Sequence, residues 1–202
     1  MASNRILYVC QEVAPYVPDT EGALLCRRLS QAMQERGNEI RTFMPRYGCI
    51  NERRHQLHEV IRLSGMNLII DDNDHQLIIK VASIPSARVQ IYFIDNDDYF
   101  ARKAILRDAD ENYFEDNDER AIFFARGVLE TVKKLRWTPT VVHFRATCKE
   151  DHARCGENGG QFGGPAYFTG SNHRIGCSCR KSPLRRATGI PGAVCRCCGP
   201  TR

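Results

Sequence analysis

The stretch that most narrows the choice of fold lies near the start of the chain, where two short apolar runs flank one helix-like segment. Ile6-Leu7-Tyr8-Val9-Cys10 is apolar throughout, with no alternating polar face, the pattern of a strand buried on both sides. Pro15 and Pro18 interrupt the chain after it. Over residues 22–36, Leu25, Leu29, Ala32 and Met33 recur at helical spacing, and Gly37 stands where a helix would end. Residues 39–44 read as a second strand, closed by Pro45. Strand, helix and strand within residues 6–44 predict a βαβ unit, and with it a parallel sheet whose crossover is right-handed.

Downstream the periodicity changes. Residues 57–63, 66–70, 77–84 and 89–94 carry β-branched content between turn signals, namely Gly65, the Asp71-Asp72-Asn73-Asp74 cluster and Pro85-Ser86. They predict a strand-rich insert of antiparallel hairpins. Residues 95–116 read as an acidic, aromatic-dotted loop, long enough for a surface role. Residue 117 opens the strongest helix. Asp116, Asp118 and Glu119 stand at its positive end, Lys133, Lys134 and Arg136 at the other. Ile122, Phe123, Ala125, Leu129, Val132 and Leu135 supply an apolar face, and Val141-Val142-His143 begins another buried strand. The predicted class is α/β, a partial Rossmann-like parallel sheet with a strand-rich insert. Ligands of such sheets bind beyond the carboxyl ends of the strands, here after Cys10, Met44, Ile94 and His143.

At residue 143 the chemistry changes. Residues 144–202 hold ten Lys and Arg against three acids, seven of the ten cysteines and ten of the fifteen glycines. Their only Ile, Leu or Val residues are Ile175, Leu184, Ile190 and Val194, too little apolar area for a second core. The chain therefore divides into a domain at 1–143 and an irregular or disordered Cys/Gly/Arg-rich tail at 144–202. Three readings of the tail stay open. One is a departure of the reading frame near His143. Another is a zinc site using Cys195 and Cys198 with Cys148, His152 and Cys155, although Cys177-Ser178-Cys179 is too tightly spaced to join it. The third is a nucleic-acid contact centred on Lys181-Ser182-Pro183-Leu184-Arg185-Arg186. No apolar run approaches the ~18–20 residues of a membrane span, and the start carries no leader pattern, so a soluble cytoplasmic protein with reduced thiols is expected. Cys10, Cys26 and Cys49 then fit as small core or turn residues.

Several motifs along the first domain are shared, in order, with one family. Ile6-Leu7-Tyr8-Val9-Cys10-Gln11-Glu12-Val13-Ala14-Pro15 resembles the opening of bacterial glycogen synthases and plant starch synthases. Ala32-Met33-Gln34-Glu35-Arg36-Gly37-Asn38-Glu39-Ile40 resembles the family's first helix and second strand, and Met44-Pro45-Arg46-Tyr47-Gly48 the turn after it. Ile91-Tyr92-Phe93-Ile94-Asp95-Asn96 with Tyr99, Phe100 and Arg102 resembles its acceptor-side loop. Asp116-Asn117-Asp118-Glu119-Arg120 and Trp137-Thr138-Pro139-Thr140-Val141-Val142-His143 resemble its following helix and strand. The resemblance implies the N-terminal portion of a GT-B-type retaining glucosyltransferase, in which two Rossmann-like domains face a cleft. Its partners would be a nucleotide-sugar donor, ADP-glucose or UDP-glucose, and an α-1,4-glucan acceptor.

The departures bear on activity. Where the family has Lys-Thr-Gly-Gly-Leu-Gly-Asp, this chain reads Pro18-Asp19-Thr20-Glu21-Gly22-Ala23-Leu24. The phosphate-facing cation is replaced by Pro18, and the two close-approach glycines by Thr20 and Glu21. Of the family's His-x-His-Asp-Trp only His143 remains, its second His falling at Arg145, and the second domain finds no counterpart in 202 residues. The expectation is a glycogen/starch synthase domain inactive by itself. Alternatives are a non-catalytic glucan- or partner-binding remnant and a nucleic-acid-binding tail. No catalytic residue, metal ligand or cofactor is assigned. Glu12, Phe100, Arg102 and His143 fall at substrate-binding positions, each with a plainer reading: a solvated acid, a loop anchor, an arginine paired with Asp97 or Asp98, and a bystander. His55, His58 and His75 read as surface residues without metal spacing, and Phe123 and Trp137 as core.

Overall fold

A computed structural model describes residues 3–84, 87 and 89–145, together with the backbone of a strand at 166–169. The first strand, β1 (Arg5–Cys10), runs parallel to β2 (Glu39–Pro45) on one side and to β7 (Val141–Arg145) on the other. β6 (Val89–Asp95) lies parallel on the far side of β2. β1, β2 and β7 are the predicted parallel strands, and β6, read from sequence as part of the antiparallel insert, joins them; the carboxyl ends of the four collect along one edge.

The insert is not a separate layer. β5 (Asn73–Ile84) pairs antiparallel with β6, and both β3 (His58–Glu59) and β4 (Met66–Ile70) pair antiparallel with β5, so the sheet continues outward as a wing. The turn between β4 and β5 is the two-residue hairpin that the acidic cluster predicts. Ile70 pairs with Asn73, while Asp71 (φ 46°) and Asp72 (φ 63°) both take the left-handed conformation of a type I′ turn. The strand expected over residues 57–63 shrinks to two residues. After Val60 N–H donates to Ile79 O, the amides of Leu63 and Ser64 fold back onto Val60 O at 2.9 and 3.0 Å. That turn buries Leu63, leaves Ile61 83% exposed and redirects the chain into β4.

Two helices complete the packing, and each buries a face narrower than its apolar residues suggest. α1 (Glu21–Glu35) is capped by Thr20, whose side chain accepts from Ala23 N–H, and Gly37 follows it with φ +79°. Its buried residues are Gly22, Ala23, Cys26 and Ser30, while Leu25 faces outward. Small side chains at this spacing bring the helix close to a sheet carrying Tyr8 and Phe43. Two polar contacts fix the fit: Tyr8 Oη donates to Cys26 Sγ at 3.1 Å, and Ser30 Oγ lies 3.2 Å from Thr42 Oγ1. α4 (Asn117–Lys134) buries Arg120, Phe123, Gly127, Val128 and Thr131; Leu129 and Ala125, expected inside, are exposed. The predicted end charges are in place, with Asp118 and Glu119 in the first turn and Lys133 and Lys134 in the last.

Phe43, Ile79, Ile91, Phe93, Ile94 and Phe123 form the centre of the core at 0% exposure, each contributing about 1.5–3 kcal/mol by burial. Trp137 is buried beside Arg41, whose guanidinium lies 4.7 Å from its ring centroid. Cys10 and Cys26 are free and buried, Cys49 free and exposed in a turn. Within the tail, β8 (Ala166–Thr169) pairs antiparallel with β7. The zinc and nucleic-acid readings of the tail, and Pro85-Ser86, lie outside the described residues. Among the described residues no helix is long and apolar enough to cross a membrane, and no group of three or more His, Cys, Asp or Glu side chains is placed to hold a metal.

Candidate functional site: the carboxyl edge of the parallel strands

The turn after β1 folds back onto the start of α1. An added Cβ on Gly22 would stand 2.2 Å from Glu12 Oε1, so the Glu12 carboxylate rests directly against the first turn of the helix. Thr20 Oγ1 already takes the Ala23 N–H. The positive end of α1 is thus met by the chain's own oxygens. Glu21 adds a further carboxylate in the same turn.

The ends of β2 and β6 are joined by buried charge, a feature with no signal in the linear sequence. Asp95, 1% exposed, closes β6. Arg46 Nε lies 2.9 Å from Asp95 Oδ1, and Lys80 Nζ, reaching from β5, lies 2.9 Å from Oδ2. Glu52, the first residue of the one-turn helix α2 (Glu52–His55), bridges both cations at 3.4 and 2.7 Å. Burial alone would lower the Lys80 pKa, but the two carboxylates outweigh it and hold the ammonium above its ordinary value.

Beyond β6 the expected loop begins with a helical turn, α3 (Asp97–Phe100), capped by Asn96 Oδ1 accepting from Tyr99 N–H. Phe100 is 2% exposed, packed edge-on against Tyr47 and Phe123. A ring so enclosed offers no face to a substrate; it anchors the loop. Gly48 is pressed against that loop, its N–H donating to Arg102 O at 2.9 Å. A Cβ there would fall 1.9 Å from Ala101 O, so only glycine permits the contact.

Arg102 is paired with Asp116 rather than with Asp97 or Asp98. Two parallel bonds of 2.7 Å join guanidinium to carboxylate, drawing the two ends of the loop together. Asp97 approaches Arg46 instead, and Asp98 approaches His75. Burial would raise the Asp116 pKa, but its bonds and attraction to Arg102 prevail and hold it below the usual carboxylate value. Arg120, 3% exposed, donates to Tyr99 O and Asn117 Oδ1 and lies 5.3–6.0 Å from the ring centroids of Phe114, Phe100 and Tyr47. Burial lowers its pKa.

His75 is not a surface residue. Nδ1 lies 2.8 Å from Asp98 Oδ2 and Nε2 3.1 Å from Tyr99 Oη, which donates to Glu119 Oε2 at 2.9 Å. The network ties β5 to α3 and α4. Burial, with Glu119 beside it, pushes the Tyr99 pKa up.

At the far side of the edge, His143 is the third residue of β7 and does not end it; the strand runs on to Arg145, opposite Cys10. The His143 ring packs edge-on against Tyr8 at 4.9 Å, and burial, with Arg145 nearby, lowers its pKa. Tyr8 in turn donates to Cys26, whose pKa the neighbouring Cys10 thiol and the Tyr8 hydroxyl lower against the opposing effect of burial. The structure thus collects Glu12 and the loop bearing Arg102 at the carboxyl edge, places Phe100 under it, and sets His143 two residues back inside the sheet.

The chain is similar to proteins of known kind. The starch synthase catalytic domain family matches residues 5–145. Glycogen synthase of Chlorobium limicola is 39% identical over 140 residues, covering 69% of this chain and 29% of that protein. Glycogen synthase of Chlorobaculum tepidum is 38% identical over 150 residues, 74% of this chain and 30% of the relative. The solved catalytic domain of starch synthase IV from Arabidopsis thaliana, bound to ADP and acarbose, superposes with a TM-score of 0.60 at 18% identity, over 71% of this chain and 28% of that one. The chain spans less than a third of the length of these curated relatives. With the parallel β6-β2-β1-β7 core in hand, the family match over residues 5–145 settles the assignment: the chain belongs to the starch synthase catalytic domain family.

Proposed function

We propose that this domain serves the glucan side of glucosyl transfer from a nucleoside-diphosphate glucose to the end of an α-1,4-glucan, and that the 202-residue chain does not complete that transfer by itself. The observation carrying this reading is the turn after β1. Its approach positions are Pro18, Thr20 and Glu21, and the Glu12 carboxylate lies against Gly22 at the helix terminus. A diphosphate brought to that terminus meets a turn whose residues 11–21 hold three carboxylates, Glu12, Asp19 and Glu21, and no Lys or Arg. Each like-charge pair at 4 Å costs about 1–4 kcal/mol between bulk water and a protein surface. The loop after β6 is, by contrast, intact and braced by Arg102, Asp116 and Phe100.

In this reading Arg102 presents the guanidinium N–H groups not engaged by Asp116 to sugar hydroxyls, and Glu12 and His143 line the donor side without a diphosphate to hold. The same turn favours a second reading, a lobe that binds glucan and transfers nothing. Incorporation of label from ADP-[14C]glucose and UDP-[14C]glucose into glycogen tests the first claim. Background counts are expected with either donor, and sustained turnover refutes it. Co-sedimentation with glycogen in the absence of turnover supports the binding lobe.

A further inference from the structure

The loop between α3 and α4 carries an exposed aromatic that neither the core nor the edge charges require. Tyr113 is 52% exposed. Arg107 pairs with it across an isolated antiparallel bridge, sets its guanidinium 4.3 Å from the ring centroid and donates to Tyr113 Oη at 2.9 Å. The tip beyond is built around one side chain. Asp108 Oδ1 accepts from the amides of Asp110 and Asn112, and Asp108 N–H donates to Asn112 O, all at 2.9 Å. Phe114 N–H and Asn117 Nδ2 both donate to Leu106 O, and the Arg102–Asp116 pair closes the base. The ring is therefore held out on a braced loop at the ligand edge of the sheet.

An amphipathic ring held rigid loses little entropy on contact and suits the apolar C–H face of a hexose. The exposed side chains flanking it in the chain include carboxylates at Asp110, Glu111 and Glu115 and an amide at Asn112, which both donates and accepts, against the guanidinium of Arg107 on the ring. Carboxylates take hydrogen bonds from sugar hydroxyls and repel phosphates, so the excess of acids over the single Arg107 cation favours a neutral polyol over an anionic ligand. We propose that Tyr113, braced by Arg107, is a stacking platform for an α-glucan chain. This rests on the glucan-side reading above and extends it to a residue at the loop tip.

Titration of the full chain with maltoheptaose and co-sedimentation with glycogen test it, using Tyr113→Ala, Tyr113→Trp and the unsubstituted protein, with thermal melts confirming that all three fold. Tyr113→Ala is expected to bind maltoheptaose about five- to tenfold more weakly, with Tyr113→Trp close to the parent. If the parent binds glucan and Tyr113→Ala binds within twofold of it, the platform is refuted while the glucan reading stands. If the parent retains no glucan, that reading fails and the platform with it. Binding of a Lys-rich peptide in place of maltoheptaose, lost in Tyr113→Ala, would also overturn the proposal, because it assigns the acidic rim to a basic protein partner.

Discussion

Replacing Asp95 by Asn removes the one carboxylate on which the charge cluster between β2, β5 and β6 is centred. The side chain keeps its size, so the change is electrostatic. In the parent Asp95 is 2% exposed at the side chain and faces two cations that are themselves 12% and 16% exposed. Leaving buried charge without its partner costs about 3–5 kcal/mol. Two features place the expected value at the low end. Glu52 remains within 2.7 Å of Lys80, and the 2.9 Å contact of Arg46 Nε with Asp95 Oδ1 lacks hydrogen-bond alignment, so it contributes as charge alone. The expected loss is therefore about 3 kcal/mol. In urea, with a slope near 2 kcal/mol/M, the midpoint falls by about 1.5 M at unchanged slope. Glu52→Gln is the control: its carboxylate is 38% exposed and screened, so its removal costs less than about 1 kcal/mol. A loss below about 1 kcal/mol for Asp95→Asn, or an equal loss for the two variants, refutes the view that the buried carboxylate organises this end of the sheet.

Other consequences are equally direct. Asp116 has a folded-state pKa below its ordinary 3.8, so its pairing with Arg102 stabilises the fold above that value and the benefit fades as pH falls through the lower folded value. Acid unfolding of Asp116→Asn, followed by circular dichroism, should lack this component; an unchanged acid profile contradicts the pairing. Gly48→Ala drives a Cβ into the Ala101 carbonyl and should cost about 2–3 kcal/mol, roughly 5–10 °C in melting temperature, with lost exchange protection at the Gly48 amide. A melt indistinguishable from the parent's would show that the turn and loop are not in contact. Tyr99→Phe cuts both bonds of the Tyr99 hydroxyl, to His75 and Glu119, and should lower stability by about 1–2 kcal/mol in chemical denaturation. No change would mean the network is solvated in solution.

How much of this is legible in the chain depends on how far each signal travels along it. The β1, α1, β2 succession is coded by neighbours a few residues apart, and so is the Asp71-Asp72 turn; both are where the residues put them. The buried faces of α1 and α4 depart from the apolar pattern because fit, rather than hydrophobicity, decides them. Gly22, Ala23, Cys26 and Ser30 go inside because they are small, and Leu25 stays out. Pairings that span the fold leave no local trace. Arg102 lies beside two aspartates in sequence, yet the one-turn helix α3 points them at Arg46 and His75, leaving Asp116 across the loop as its partner. Lys80 meets Asp95 only because the antiparallel register sets Lys80 opposite Phe93, two residues from the end of β6. His143 reads as a strand end because composition shifts there, whereas the backbone continues pairing through Arg145.

The measurement that bears most directly on the central claim is a titration of the 15N-labelled chain with ADP and with pyrophosphate, observed at the amides of Gly22 and Ala23. With Thr20 and Glu12 seated at that helix terminus, these resonances should not move at millimolar ligand. A saturable shift at both amides, absent from the rest of α1, would show the terminus open to a diphosphate and would contradict the account.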